Sequence, residues 1–464
     1  MLDDVLNTIA GRDAQALAML GEFLSIPSVS AQPDRADDCR RCAHWVADQL
    51  RFAMLETSVM ETGGHPVVVA KNKHVAGRPT VLLYGHYDVQ PPEPLELWQS
   101  PPFEMTIRAV EKNAPPGTQA AYARGAVDDK GQVCCHLDAI FAWQAHGGLP
   151  VNLTVLIEGE EEIGSVHLER FVAAHKNALA ADVCVISDTN QFARGYPAVT
   201  VGTRGLVYQE IIVKGPNRDL HSGLFGGAAP NPANVLAMLL ASLHDDGGRI
   251  NLPGFYDDVI ELTPDERAAW RTLPFSEDDF RRDLGVDATL GERGFGTLEQ
   301  TWARPTCDVN GITAGYGGPG AKTVIPAKAS AKVSFRLVAG QDPVKVRDAF
   351  CQAMRERAPR GVTITFLDHG IAPAYLVPPG HPGLRAAAAA LEAGFGKPAT
   401  LVRSGGSIPI VTALRRELGV ECLFVGFGLP DDNVHSPNEK FDLDCFNAGR
   451  RTAAVLYAEL AKGS

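Results

Sequence analysis

The chain has 464 residues, 45% hydrophobic and 21% charged, with a formal net charge of −12. These are globular proportions, and the length exceeds the roughly 250–300 residues at which a single core stops growing, so two or more domains are expected. The acidic balance disfavours a nucleic-acid partner, which would call for a basic face.

No apolar run reaches the ~20 residues that cross a bilayer, so no membrane partner is expected. The opening MLDDVLNTIAGRD carries acids early and lacks the basic start and apolar run of an export signal. Nine scattered cysteines then read as reduced thiols, and the expected location is cytoplasmic. Cys39 and Cys42 form a C-x-x-C, but inside an amphipathic helical pattern and without a second ligand pair at matching spacing. They read as core residues.

Two helical patterns open the chain, at Ala14–Leu24 and Asp37–Arg51. Short apolar runs then alternate with helical segments. Val81–Tyr84, Leu153–Ile157 and Val183–Ser187 read as buried strands, with helices at Gln132–Ala145 and His167–His175. Such alternation predicts an α/β sheet with helices on both faces. The middle changes character. Tyr208–Val213 and Lys328–Val338 alternate as half-buried strands do, and Pro232–His244 is a helix with Asn231 as N-cap. The first style returns with a helix at Gly383–Phe395, a strand at Cys422–Val425 and a helix at Asn447–Ala461. The expectation is a discontinuous, mainly parallel α/β domain, 1–198 and 377–464, interrupted by an α+β domain at 199–376.

Chemistry-bearing residues collect just after the buried strands. His86 and Asp88 follow the first, Glu158–Glu162 the second, Asp188 the third, and His435 lies in the loop after Cys422–Val425. Asp128–Asp129 opens the helix beginning near Gln132. In open α/β sheets, ligands bind beyond the carboxyl ends of the strands. Two His with several carboxylates suit zinc, manganese or cobalt. Taken singly, each residue has a structural reading: Asp128 as a helix cap, Glu158–Glu162 as a solvated first helical turn. Taken together they favour a site that holds two ions and activates one water. No G-x-G-x-x-G follows the first strand and no P-loop is present, which excludes the usual nucleotide motifs.

The segments LLYGHYDVQPPEPLELWQSPPF, ARGAVDDKGQ, EGEEEIGS, ISDT, RDLHSGLFGG, GAKTVIPAK, SFRLV, GGSIPI and HSPNEKF resemble the di-zinc amidohydrolases. That family includes acetylornithine deacetylase, succinyl-diaminopimelate desuccinylase and carboxypeptidase G. The resemblance is strongest to its cytosolic non-specific dipeptidase and carnosinase branch, and it spans nearly the whole chain. It implies hydrolysis of a small peptide beside a free carboxylate, with N-acyl amino-acid deacylase or carboxypeptidase as the alternative. It implies two divalent ions per subunit, zinc being expected and manganese or cobalt the alternatives. His86 and Asp188 would bind one, Glu162 and His435 the other, and Asp128 both. Glu161 would be the general base and Asp88 would orient His86. His221 would donate to the oxyanion, reaching from the inserted domain into the partner's site of a homodimer. Arg336, Thr323, Gly406 and Ser407 would hold the substrate carboxylate and nearby polar groups. One departure stands out. The dipeptidase branch reads R-E-G-G-S-I-P where this chain has Arg403, Ser404, Gly405, Gly406, Ser407, Ile408 and Pro409. Ser404 thus replaces an acid suited to a substrate amino group.

Overall fold

The computed structural model describes residues 1–406 and 409–463. Ser407 lies outside the described residues.

The continuous apolar runs become the centre of a nine-stranded sheet. Its order is Glu56–Met60, Val67–Lys71, Asn152–Glu158, Thr80–His86, Val183–Ile186, Glu421–Phe424, Ala198–Thr203 and Tyr375–Leu376, with Thr400–Ser404 also paired to Ala198–Thr203. The pairings Asn152–Glu158 with Thr80–His86, Thr80–His86 with Val183–Ile186, and Val183–Ile186 with Glu421–Phe424 are parallel. Strands covered on both faces need no polar alternation, and every residue of Asn152–Glu158 is buried.

Helices cover the sheet. Lys130–Ala145 is buried almost throughout, despite starting with Lys130 and Gln132. Its polar groups are satisfied. Lys130 Nζ donates to the carbonyls of Phe23 and Ile26, and His136 lies between the Tyr457 hydroxyl and Ser187 Oγ. Leu443–Leu460 packs on this helix and on Pro382–Phe395. Cys39 and Cys42 are buried inside the helix Ala36–Phe52, and all nine cysteines are free.

The chain leaves the large sheet at Arg204 and returns at Tyr375. Between them lies an antiparallel sheet in the order Thr306–Ala314, Lys328–Leu337, Gly205–Lys214 and Thr363–Ala372. Gly205–Lys214 alternates buried and half-buried residues, as a sheet with one covered face requires. The helices Pro232–Ala241 and Pro343–Arg357 pack on it, around Val207, Ile211, Phe335 and Phe350. Asn231 caps the first of these helices by accepting from the Ala233 N–H.

The structure adds several elements that the sequence did not mark, and it rules out the structural reading of Glu158–Glu162. Residues after Leu243 form short helices at Pro264–Trp270, Glu277–Leu284 and Thr297–Trp302. Thr306–Ala314, within a Gly- and Thr-rich stretch, is an edge strand with mostly exposed residues. Glu161–Ile163 is a single tight turn ended by Gly164 in the left-handed region, not the start of a helix.

Gly131 shows how tightly the first turn of Lys130–Ala145 is held. A Cβ there would sit 1.9 Å from the Ala126 carbonyl oxygen, a backbone atom that cannot step aside. Gly131→Ala is expected to lower stability by about 2 kcal/mol, as overpacking does. Urea unfolding of the two chains checks this, and an unchanged midpoint would contradict it.

Candidate metal centre

The strand ends bring one carboxylate between two imidazoles. Asp128 Oδ1 lies 3.1 Å from His86 Nε2, and Asp128 Oδ2 lies 3.0 Å from His435 Nε2. Two donor groups result, with ligand atoms mutually within 4.8 Å: His86, Asp128 and Asp188, and Asp128, Glu162 and His435. His86 Nε2 is 3.9 Å from Asp188 Oδ2, and His435 Nε2 is 3.1 Å from Glu162 Oε2. Each group offers one imidazole, one carboxylate of its own and one oxygen of Asp128. That donor set fits two divalent cations sharing a carboxylate.

The supports are as ordered as the donors. Asp88 is fully buried. Its carboxylate accepts the backbone N–H groups of Glu161 (3.3 Å) and Glu162 (3.1 Å), and its Oδ1 lies 3.4 Å from His86 Nδ1. One side chain therefore links the loop after Thr80–His86 to the loop after Asn152–Glu158. Such outer partners fix the tautomer and angle of a ligating imidazole. Gln90 Nε2 donates to Glu162 Oε2 at 2.8 Å. His435 has φ of 60°, a left-handed backbone that is uncommon outside glycine and is often found at functional sites.

Sequence reasoning missed Glu439. It is fully buried, and its carboxylate accepts from Arg124 Nη1 (2.8 Å) and from the backbone N–H groups of Gly125 (2.9 Å), Val127 (3.0 Å) and Asp128 (3.1 Å). It clamps the loop of the shared carboxylate to the segment that carries His435. The only trace in the sequence is its place in HSPNEKF, four residues after His435.

Electrostatics match a centre built for cations. Burial alone would raise the Asp128 pKa, but hydrogen bonds from His435 and His86 hold it below the ordinary carboxylate range. Burial opposes a charge on His86, yet its bonds to Asp128 and Asp88 raise its pKa well above normal. His435 is raised to about 10 by Asp128 and Glu162. Burial, reinforced by Asp128 and Asp129, pushes Asp188 well up. Burial likewise raises Glu161 to about 7, with Glu162, Asp128 and Asp88 adding to it.

A cavity of about 460 Å³ opens beside these groups. Asp128, Glu161, Asp188 and His435 line it, together with Arg403, Ser404, Gly405 and Gly406. His221, Thr323 and Arg336 do not line it. His221 and Thr323 lie exposed by a two-stranded ribbon in which Leu220–His221 pairs with Val324–Ile325. Arg336 faces Leu206 and Thr306 across its strand neighbours. Arg204 lies close to it, since the Arg336 charge helps burial bring the Arg204 pKa down to about 10. Arg204 in turn donates to the carbonyls of Gly405 and Gly406 at 3.2 and 3.0 Å.

A parallel-sheet domain carrying two such donor groups defines a dinuclear metallohydrolase. Residues 82–459 match the model of peptidase family M20/M25/M40, and the chain belongs to that family. It is 32% identical to the Cys-Gly metallodipeptidase DUG1 of Candida albicans, over 97% of this chain and 96% of that one. It is also 32% identical to human Beta-Ala-His dipeptidase, over 100% and 93% of the two chains. Among solved structures, the M20 family metallo-carboxypeptidase Sso-CP2 of Sulfolobus solfataricus matches with a TM-score of 0.80 and 31% identity, covering 96% of this chain and 99% of that one. This chain is accordingly a metallopeptidase of the dipeptidase type. Among the described residues, no helix is long and apolar enough to cross a membrane.

The raised pKa values carry a prediction. Ligation needs neutral imidazoles and ionised carboxylates, so loading cations must expel protons from His86, His435 and Asp188. Calorimetry in two buffers of different ionisation enthalpy is expected to show proton release. Apparent affinity should rise with pH until about 10, where His435 loses its proton unaided. Affinity independent of pH would contradict the assignment.

Proposed function

We propose that the chain hydrolyses the amide bond next to the free C-terminal carboxylate of small peptides, dipeptides being the smallest. The observation carrying this reading is the Asp128 carboxylate set between two imidazoles, with Glu161 beside it at the edge of the cavity. The family membership and the dipeptidase names of its relatives support the same chemistry.

His86 and Asp188 would hold one cation, Glu162 and His435 the other, and Asp128 both. Bound there, the two cations supply Lewis acidity to the attacking water and to the scissile carbonyl. Zinc is the proposed metal, with manganese or cobalt able to use the same donors. Asp88 keeps His86 oriented and holds the backbone of Glu161 and Glu162. Glu161 takes the proton of the attacking water and hands it to the leaving amine. Burial, and after it Glu162, Asp128 and Asp88, raise its proton affinity, and cations held by those carboxylates would offset their share.

The segment 199–376 is proposed as a lid that also forms a homodimer, joining the catalytic domain at 1–198 and 377–464. In that arrangement His221 of one chain donates to the oxyanion in the partner's site. Its exposure, away from the cavity of its own chain, supports this role. Arg336, with Thr323, Gly406 and Ser407, would hold the substrate's carboxylate. The nearness of Arg336 to Arg204, and of Arg204 to Gly405 and Gly406, supports a cationic seat there. The proposed location is cytoplasmic.

Glu161→Gln keeps the shape of the side chain and removes the base. Native protein loaded with zinc or manganese is expected to release free amino acids from dipeptides. The variant should lose a factor of about 10²–10⁴ in kcat and still bind its metals. Full activity in the variant would overturn the base assignment.

A further inference from the structure

The helix Lys130–Ala145 begins directly after Asp128 and Asp129 and carries polar side chains into an otherwise apolar interior. One of them, His136, is 1% exposed and takes no part in the chemistry above. Its Nδ1 lies 2.9 Å from the Tyr457 hydroxyl, and its Nε2 lies 2.8 Å from Ser187 Oγ. Ser187 Oγ donates to the Val425 carbonyl at 2.7 Å. Ser187, Val425 and Tyr457 are buried as well. Phe427 stands beside the imidazole, with the ring centroids 5.9 Å apart.

The direction of each bond follows from the protons available. A serine hydroxyl has a single hydrogen, and here the Val425 carbonyl takes it. Ser187 Oγ therefore accepts from His136, which places the ring proton on Nε2. A neutral imidazole then has its lone pair on Nδ1, and the Tyr457 hydroxyl donates to it. Burial keeps the ring neutral by holding its pKa down at about 3. One tautomer thus satisfies the whole chain of bonds. That chain joins the helices Leu443–Leu460 and Lys130–Ala145 to the residues just past the strands Val183–Ile186 and Glu421–Phe424.

Ser187 is covalently joined to Asp188, which stands two residues beyond the end of its strand. Gln132, four residues before His136 and so on the same helix face, makes a similar tie. Its Nε2 donates to the Val127 carbonyl at 3.1 Å, and its Oε1 accepts the Phe427 N–H at 2.8 Å. The residues preceding Asp128 and Asp188 are both anchored to this helix. Burying such polar groups costs desolvation that an apolar core would avoid. In return, a fully satisfied network holds its members in a single arrangement.

We propose that His136 is a positioning residue for the metal centre. Backed by Tyr457, it holds Ser187 and thereby sets the Asp188 carboxylate for the cation that Asp188 shares with His86 and Asp128. The inference rests on the two-cation reading above and extends it to residues outside the ligand set.

Zinc affinity of the full-length chain, read by competition with a chromophoric chelator, tests this. Native protein is expected to bind two zinc ions, one per donor group. His136→Leu and Ser187→Ala should each weaken one of the two ions by roughly 10-fold or more and leave the other unchanged. Ser187→Ala removes a single oxygen, which guards against a leucine variant that fails to fold. His136→Gln keeps an N–H near the place of Nε2 and should recover most of the lost affinity. The weakened ion should be the one that Asp188→Asn weakens, so adding Ser187→Ala to Asp188→Asn should reduce zinc binding no further. A merely structural defect would weaken both ions and would add to Asp188→Asn. Native affinity for both ions in Ser187→Ala overturns the proposal. So does an equal loss at both positions, or a loss that adds to that of Asp188→Asn. Native protein that binds fewer than two ions overturns the two-cation reading itself, whereas two ions on native protein leave that reading standing whatever the variants do.

Discussion

The Asp128 carboxylate, spread between His86 and His435, is the contact on which the site depends. Its two oxygens face two imidazoles that come from loops nearly 350 residues apart along the chain. A carboxylate buried in this way is costly unless cations or donors surround it. Here the imidazoles are the donors, and their raised proton affinities mark how much positive charge the position demands. Two divalent cations held by the same groups would meet that demand.

Holding one carboxylate against two distant loops requires a rigid frame, and the parallel sheet provides it. Thr80–His86, Asn152–Glu158 and Val183–Ile186 run side by side, so their carboxyl ends reach one edge together. Two buried carboxylates then tie the loops beyond the strands. Asp88 binds the turn at Glu161 and Glu162, and Glu439 binds the backbone from Gly125 to Asp128. Neither touches the cavity. Both act on reacting groups through other residues, which is how an outer shell sets the geometry of a metal site.

The parallel sheet was legible because its strands are buried on both faces and read as unbroken apolar runs, as in VLLY and LTVLI. The donor residues were legible because each follows such a run by a few positions. Glu439 was not, since a glutamate in a polar loop looks solvated. Its partners, Gly125 to Asp128, lie more than 300 residues away. The helix Glu277–Leu284 was missed because none of its residues is buried, which leaves no apolar stripe to read. The capping box of Thr263 and Glu266 could have marked the start of Pro264–Trp270. The edge strand Thr306–Ala314 was hidden by its glycine and exposed face.

The most direct test of the account is the metal content of Asp128→Asn after exhaustive dialysis against trace zinc, measured by elemental analysis beside the native chain. Shared ligation by Asp128 predicts two ions per native chain and loss of affinity at both positions in the variant, with the fold retained by circular dichroism. Two ions held as tightly by the variant as by the native chain, or a native chain that saturates at one, would contradict it.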